Sequence, residues 1–214
     1  MNTLVNESVE TDELIRIENI RHEMSVRFFY EIIFLIFLLP FFIISLITIS
    51  LIIKLNSGGN IFYIQRRIGM DLKPFNLIKF RTMNGTEEFD KICTELDNAR
   101  ITKCGCFLRK HRLDEIPQII NIFKGEMSLI GPRPDHINLF KKFNEDFPQY
   151  CQRYIIRPGI TGYAQVYYKH TDDLNGAIEK YKYDMEYLRK YSFQTDIKIL
   201  LKTLSVMISG NGST

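Results

Sequence analysis

The sequence has few cysteines and histidines, and their spacing excludes the common metal and redox motifs. Four of each occur in 214 residues. The closest cysteines, Cys104 and Cys106, are separated by one residue, which is too short for a zinc knuckle. No second cysteine pair or histidine pair completes a ligand set. We therefore interpret the cysteines as free thiols in a reducing compartment.

Net charge is also low, and several catalytic motifs are missing. The 28 basic and 25 acidic residues leave a net charge of +3, whereas nucleic-acid-binding domains usually carry a strong basic excess. The sequence contains no P-loop, no dinucleotide-binding glycine motif and no nucleophile elbow. A cleavable signal peptide is not expected, because the apolar run begins too late and is too long. Local basic clusters remain, and these suit phosphate groups or anionic lipid headgroups.

One long apolar run is present. Residues 32–53 carry no charge, and about 20 such residues suffice for a helix to cross a bilayer. Pro40 bends a helix within this run, and basic residues on both sides leave the positive-inside rule without an orientation. A spanning helix and a bent, re-entrant helix agree equally well with these residues. We divide the chain into a polar extension (1–26), a membrane helix (27–55) and a catalytic domain (56–214).

The remaining sequence predicts a mixed α/β fold that is mainly helical with a small β element. Strands are predicted at residues 61–65, 74–82 and 163–167, and helices at 86–112 (with a break near 102–105), 113–124, 136–152, 177–191 and 195–209. In the helix at 113–124, Asp114 is the expected N-cap and Gly125 follows the end. Its predicted buried stripe is Leu113, Ile116, Ile120 and Phe123. The last two helices are amphipathic, and the final one suits either the core or a membrane interface.

Two adjacent carboxylates, Asp114 and Glu115, precede a stiff turn that presents Arg133. A helix cap followed by a first-turn acid is the common structural explanation for such a pair. Five cations lie on segments expected to converge there, which is more than a cap requires: Lys79, Arg81, Arg109, Arg112 and Arg133. This excess favours a diphosphate-bearing substrate, with a carboxylate as nucleophile toward phosphorus. A carboxylate and substrate phosphates would together hold Mg²⁺.

Longer motifs follow one another in a specific order. They are Ile61-Phe62 through Gln65, Arg67 and Gly69; Lys79-Phe80-Arg81-Thr82-Met83; Leu108-Arg109; Leu113-Asp114-Glu115 with Pro117-Gln118 and Asn121; Gly125, Met127-Ser128 and Gly131-Pro132-Arg133-Pro134; and Arg157-Pro158-Gly159-Ile160-Thr161-Gly162 with Ala164-Gln165-Val166. Together they resemble the bacterial sugar transferases, the small monotopic polyprenyl-phosphate phosphoglycosyl transferases. The resemblance covers about residues 27–210.

The resemblance implies an enzyme that transfers a sugar 1-phosphate from a UDP-sugar to undecaprenyl phosphate and releases UMP. This step initiates the synthesis of a capsule, O-antigen, exopolysaccharide or glycoprotein glycan. Asp114 is the implied nucleophile, which forms a covalent phospho-sugar intermediate, and Glu115 is its partner in Mg²⁺ binding or proton handling. The implied phosphate-binding residues are Lys79, Arg81, Arg109, Arg133 and Arg157.

The resemblance also implies a re-entrant helix hairpin broken at Pro40, and interfacial amphipathic helices. The catalytic domain would face the cytoplasm at the bacterial inner membrane, with membrane lipid as a partner and no nucleic acid; a homo-oligomer stays open. Two departures concern Leu39, where the family has serine, and residues 167–170, where it often has an Asn-Gly-Arg-like run. A membrane-anchored, non-catalytic assembly subunit and a phosphotransferase with a soluble acceptor are the alternatives. The residues do not predict which sugar is transferred.

Overall fold

The computed structural model describes residues 2–83, 101–168 and 173–209, with side chains from Glu18 onward. Most of the predicted helix at 86–112 and half of the departure at 167–170 lie outside these ranges. Within them the helices are α1 (Asn2–Phe37), α2 (Leu39–Ser57), α3 (Lys103–Lys110), α4 (Ile119–Phe123), α5 (Ile137–Asp146), α6 (Tyr163–Tyr167), α7 (Leu174–Arg189) and α8 (Phe193–Ser209). The strands are β1 (Phe62–Ile68), β2 (Pro74–Phe80), β3 (Ser128–Ile130) and β4 (Gly159–Thr161). The mixed, mainly helical α/β class is confirmed.

α1 and α2 meet at Leu38, two residues before the proline that was expected to break the helix. Pro40 lies in the first turn of α2, and its missing N–H leaves the carbonyl of Ile36 without a helical partner. Hydrogen bonds continue on both sides of the break, from the Leu38 amide to the Phe34 carbonyl and from the Phe42 amide to the Leu38 carbonyl, each at 3.1 Å. The interruption is therefore local.

α2 is long and apolar enough to cross a membrane, judged by length and composition. Its mean hydropathy is 2.0, and only 11% of the apolar stretch is buried. A core helix of a soluble protein would be buried all round, so this exposed apolar surface favours contact with lipid. The hydroxyls of Ser45 and Thr48 donate to carbonyls one turn back, at 2.9 and 2.8 Å. These polar side chains are thus satisfied within the helix.

A buried polar cluster fastens α1 to the globular part. The Arg27 side chain is only 11% exposed, and its partners lie on α1, β3, α7 and α8: Glu31, Ser128, Ile130, Tyr187 and Asp196. A buried guanidinium is tolerated only when paired and hydrogen-bonded. Arg27 therefore attaches the apolar element at one defined position.

β1 and β2 form an antiparallel hairpin in which Phe62 pairs with Phe80 and Ile68 pairs with Pro74. The two central residues of the turn, Asp71 and Leu72, have φ angles of 54° and 59°, as a type I′ turn requires. The two strands predicted here are confirmed, although β1 continues to Ile68 and β2 ends at Phe80.

The second sheet is a parallel pair that sequence reasoning missed. Ser128 of β3 pairs with Gly159 of β4, and Ile130 pairs with Thr161. Strands of three residues are too short to show an alternating pattern, so periodicity carried no signal for them.

The strand predicted at residues 163–167 is wrong, because this segment is α6. The Val166 amide donates to the Gly162 carbonyl at 3.2 Å, and the Tyr168 amide donates to the Ala164 carbonyl at 2.9 Å. Alternating apolar and polar residues in a five-residue segment suit a strand and a single helical turn alike.

The helix predicted at 113–124 is a 3-10 segment, Leu113–Gln118, followed by α4. Arg112, with φ of 54°, precedes the first turn and occupies the N-cap position, so the prediction of Asp114 as N-cap is wrong. The tighter 3-10 winding also changes the buried face: Phe123 is 41% exposed, and the buried residues are Glu115, Pro117, Gln118, Ile119, Asn121 and Ile122.

The C-terminal half is helical. The helix predicted at 136–152 divides into α5 and the 3-10 segment Pro148–Ile155, and the two helices predicted after it correspond to α7 and α8. α8 buries Ile199 completely but leaves Leu201 and Ile208 exposed. It therefore packs on the core by one face and presents apolar side chains on another.

Candidate active site

The acidic pair, Asp114 and Glu115, lies in a segment packed against β2. Asn121 fixes this packing and is completely buried. Its side-chain oxygen accepts from the Ile78 amide at 3.1 Å, and its side-chain nitrogen donates to the Asn76 carbonyl at 2.7 Å. An asparagine amide can thus bond strand backbone as a neighbouring strand would. The acidic pair is held in a fixed position beside the strand that carries Lys79.

Glu115 is the more buried acid, with 6% of its surface exposed. Its Oε1 atom accepts from Lys79 Nζ at 2.8 Å and from both terminal nitrogens of Arg133 at 3.0 Å. Burial by itself raises the pKa of Glu115, but Lys79 and Arg133 outweigh it and hold that pKa well below its usual range. Glu115 is therefore ionised and keeps two cations beside the pair.

Asp114 is half-buried, and in the described part of the chain its carboxylate accepts no hydrogen bond. Burial raises the pKa of Asp114, Lys79 opposes that effect, and the charge on Glu115 adds to it, so the pKa lies above its usual range. A carboxylate with a raised pKa and no hydrogen-bond donor is more basic than an ordinary aspartate. These properties suit a nucleophile.

Two further arginines approach the pair. Arg109 donates from Nε to the Thr82 hydroxyl at 2.9 Å, and its charge lowers the pKa of Asp114. Burial lowers the pKa of Arg112, whereas Glu115 raises it. The structure therefore brings four of the five expected cations to the acidic pair. Their role in binding phosphate stays a prediction.

Arg81 and Arg157 are not brought to the pair. Arg81 donates to the Ser57 hydroxyl at 2.9 Å and to the Gly58 carbonyl, where it satisfies polar groups at the end of α2. Arg81 was expected to lie on a strand over residues 74–82 that reaches the acidic pair, but β2 ends at Phe80. Arg157 instead donates to the Gly125 carbonyl at 3.0 Å.

A buried ion network supports the turn that presents Arg133, and sequence reasoning missed it. Arg153 is only 1% exposed. It donates to Asp135 at 2.5 Å, to Asp184 at 2.7 Å and to the Arg133 carbonyl at 3.3 Å. Because one guanidinium joins three segments, the position of Arg133 depends on it.

Asp135 is the acceptor at the centre of that network. The hydroxyls of Tyr150 and Tyr154 each donate to its Oδ2 atom at 2.7 Å. Burial raises the pKa of Asp135, but Arg153 and the two tyrosine hydroxyls outweigh it, so the pKa is lowered. On the other side of the turn, Arg67 donates to the Pro134 carbonyl at 3.1 Å. The only sequence signal was that Asp135 follows the Gly-Pro-Arg-Pro turn directly.

Gly131 is required by the close approach of β3 and β4. A Cβ atom there would lie 2.4 Å from the Arg157 carbonyl oxygen and 2.9 Å from the Gly159 amide nitrogen, so the backbone would have to shift. We expect Gly131→Ala to lower the free energy of unfolding by at least about 2 kcal/mol. Thermal unfolding of the purified chain measures this effect.

Gly125→Ala is the matched control. At Gly125 an added Cβ meets nothing within 4 Å, and only the φ of 75° is unfavourable. The expected cost is about 1 kcal/mol. If Gly131→Ala were no more destabilising than Gly125→Ala, the close approach would not be what requires glycine there.

Mg²⁺ fits the acidic pair only together with a substrate. Among the described residues no group of three or more His, Cys, Asp or Glu could hold a metal ion. Mg²⁺, however, is usually held by one or two carboxylates plus substrate phosphates. The Asp114 carboxylate, which accepts no hydrogen bond among the described residues, offers one such ligand. One oxygen of Glu115 already accepts three hydrogen bonds, so its second oxygen is the ligand available.

Comparison of the sequence with known proteins identifies relatives of this chain. The chain is 35% identical over 176 residues to UDP-N-acetylgalactosamine-undecaprenyl-phosphate N-acetylgalactosaminephosphotransferase of Aeromonas hydrophila, covering 82% of the chain and 42% of that protein. It is 40% identical over 160 residues to UDP-glucose:undecaprenyl-phosphate glucose-1-phosphate transferase of Escherichia coli (strain K12), covering 73% of the chain and 34% of that protein. It thus spans less than half the length of these two relatives.

A relative of similar size is also found. The chain is 37% identical over 171 residues to an uncharacterized sugar transferase of Bacillus subtilis (strain 168), covering 79% of the chain and 80% of that protein. The family model described as bacterial sugar transferase matches residues 22–210, which include the acidic pair and the cations around it. The chain therefore belongs to the bacterial sugar transferase family.

Proposed function

We propose that this protein transfers a sugar 1-phosphate from a UDP-sugar to undecaprenyl phosphate and releases UMP. The observation that carries the proposal is the contrast within the acidic pair. Glu115 is ionised and bonded to two cations, whereas Asp114 has a raised pKa and accepts no hydrogen bond among the described residues. The names of the two relatives describe this class of transfer, with different sugars, so the proposal does not specify the sugar.

The first step uses Asp114 as the nucleophile. An oxygen of its carboxylate attacks the sugar-bearing phosphorus of the UDP-sugar. The bond between that phosphorus and the bridging oxygen breaks, and UMP leaves with the bridging oxygen. The product is an acyl phosphate that joins Asp114 to the phospho-sugar. A raised pKa of the attacking carboxylate favours bond formation to phosphorus.

The second step regenerates Asp114. A phosphate oxygen of undecaprenyl phosphate attacks the same phosphorus, and the acyl phosphate bond to the carboxylate breaks. The products are a lipid diphosphate sugar and free Asp114. Lys79 and Arg133, which Glu115 holds in place at 2.8 and 3.0 Å, stabilise the negative charge on the phosphoryl oxygens in both steps. When bound, Mg²⁺ supplies further neutralisation of the diphosphate.

The experiment is an assay of UMP release from the purified chain with Mg²⁺, undecaprenyl phosphate and a panel of UDP-sugars. We expect UMP release with at least one UDP-sugar. Multiple turnovers are expected only when undecaprenyl phosphate is present as the acceptor. Background release with every UDP-sugar would contradict the proposal and favour a non-catalytic assembly subunit. Equal turnover with a water-soluble acceptor phosphate would favour a soluble-acceptor phosphotransferase.

The same proposal includes the membrane arrangement. α2 exposes its apolar surface, and Arg27 fastens α1 to the globular part just before the apolar run. Because a lipid acceptor must reach Asp114 at the membrane surface, we place the globular part on the cytoplasmic face and the apolar helices in a re-entrant arrangement, with the break near Leu38. The exposed apolar side chains of α8 suit contact with the interface.

Cysteine labelling tests the re-entrant arrangement. In a variant with its native cysteines replaced, single cysteines at Ser25 and Ser57 flank the apolar residues. Both are expected to react with a membrane-impermeant reagent from the cytoplasmic side, since a re-entrant helix returns to the same face. Reaction from opposite sides would show a spanning helix.

A further inference from the structure

A pocket lies between α1 and the chain that precedes β4, and neither Asp114 nor Glu115 is among the residues that line it. Its volume is ≈ 130 Å³, well above the roughly 15 Å³ that one water molecule requires. Its lining combines arginine and apolar side chains, among them Arg21, Met24, Arg27, Phe28, Ile156 and Arg157. A pocket with this lining suits a ligand with an anionic group and an apolar part.

Arg157 is a cation with free donors in this pocket. Its guanidinium lies 4.3 Å from the centroid of the Phe28 ring, and its Nε atom donates to the Gly125 carbonyl at 3.0 Å. Within the described part of the chain its two terminal nitrogens have no hydrogen-bond or ion-pair partner. The ring and the carbonyl therefore hold the guanidinium in place while its outer edge stays available for an anion.

The other charges near the pocket are already paired. Arg27 is bonded to Glu31, Asp196 and neighbouring groups, and Arg21 pairs with Asp71. Both oxygens of Glu31 are occupied, one by Arg27 and one by the Ser128 hydroxyl and the Leu129 amide. Arg157 is thus left as a positive charge that no acid in the described residues neutralises directly.

The pocket also lies at a defined depth. Phe28 precedes the first residue of the apolar run, Ile32, by one helical turn, which is about 6 Å along α1. If the apolar run is inserted in a bilayer, the pocket lies at the level of the lipid headgroups. The phosphate of a lipid can reach Arg157 there, while the acyl chains extend along the apolar surface of α1 and α2.

We propose that this pocket binds the phosphate headgroup of an anionic phospholipid, with Arg157 donating to the phosphate and Phe28 supporting the guanidinium. The inference rests on the proposed membrane arrangement. It assigns Arg157 to lipid phosphate rather than to the substrate diphosphate at the acidic pair. A bound headgroup would hold α1 against the globular part beside Arg27.

Direct binding tests the proposal on the purified full chain in detergent. The probes are dioctanoyl phosphatidylglycerol, dioctanoyl phosphatidylcholine and inorganic phosphate, with affinities measured by calorimetry. We expect phosphatidylglycerol to bind more tightly than the other two. Arg157→Gln should weaken that binding about tenfold, and Arg157→Lys should weaken it less because the charge remains. Arg189→Gln, at an exposed cation on α7, is the control and should bind as the unchanged protein does.

Two results would overturn the inference: unchanged phosphatidylglycerol binding in Arg157→Gln, or equal affinity for inorganic phosphate, which would indicate a site for a free anion. If Arg157→Gln fails to fold by thermal unfolding, Phe28→Leu replaces it, since loss of the ring should also weaken binding. UMP release is followed separately. If the unchanged protein binds phosphatidylglycerol but releases no UMP, the proposed function alone is contradicted. If the unchanged protein releases UMP but Arg157→Gln binds phosphatidylglycerol as tightly as it does, this inference alone is contradicted.

Discussion

Asp114→Asn should lower UMP release by at least about a thousandfold, because an amide cannot form the acyl phosphate with the phospho-sugar that the first step requires. The same substitution should leave thermal stability unchanged or raise it slightly. Burial raises the pKa of Asp114, so at neutral pH folding confines a charge that the unfolded chain solvates better. Removing that charge relieves a cost of folding.

Loss of UMP release with unchanged or raised thermal stability would show that Asp114 acts in catalysis and not in stabilising the fold. If Asp114 only stabilised its helical segment, the substitution would lower stability and spare turnover. Asp146→Asn, at an exposed acid at the end of α5, is the matched control and should leave both quantities unchanged. Substantial UMP release by Asp114→Asn would contradict the assignment of the nucleophile.

Arg153→Leu should lower the melting temperature by about 10 °C. The substitution leaves Asp135 and Asp184 buried without their common cation. Removing one partner of a buried ion pair costs roughly 3–5 kcal/mol. For a chain of this size, each kcal/mol lowers the melting temperature by about 2–4 °C. UMP release should fall as well, because Arg153 bonds the Arg133 carbonyl. Lys190→Met, which breaks an exposed pair with Glu186, is the control and should change stability little.

The pH dependence of the difference in melting temperature between the unchanged protein and Arg153→Leu identifies the cause of the destabilisation. In the unchanged protein the pKa of Asp135 is lowered, so its contribution to stability is full above its unfolded pKa and is lost as the pH falls. In Arg153→Leu, both carboxylates lose the cation that lowers their pKa, and burial raises it. Protonation then favours the folded state of the variant as the pH falls. The difference in melting temperature should therefore narrow from pH 7 toward pH 5. A constant difference would indicate lost packing rather than a lost counter-ion.

The features of the site that were predictable from the sequence depend only on residues close together along the chain. Asp114 and Glu115 are adjacent, and Lys79 lies on a strand whose residue pattern is recognisable without tertiary contacts. The position of Arg81 was not predictable in the same way, because it depends on where β2 ends. Arg112 shows a further limit: its left-handed conformation starts a 3-10 segment, and no propensity of arginine indicates that.

Long-range pairs account for most of what the sequence did not predict. Arg27 and Ser128 are 101 residues apart, and Arg153 and Asp184 are 31 apart. In sequence these are ordinary charged or polar residues, expected at the surface. Arg27 is buried where α1 and α8 pack on the second sheet, and Arg153 is buried where the 3-10 segment Pro148–Ile155 packs on α7. The same packing, not hydrophobic periodicity, determines the short pairing of β3 with β4.

The most direct test of the proposed mechanism is peptide mass spectrometry of the enzyme after rapid quenching, with its UDP-sugar present and the lipid acceptor absent. We predict that the peptide containing Asp114 gains the mass of one sugar phosphate less one water, that UMP appears in equal amount, and that undecaprenyl phosphate removes the added mass. Asp114→Asn should show neither product. Catalytic turnover without this adduct, or with the adduct on another residue, would contradict the mechanism.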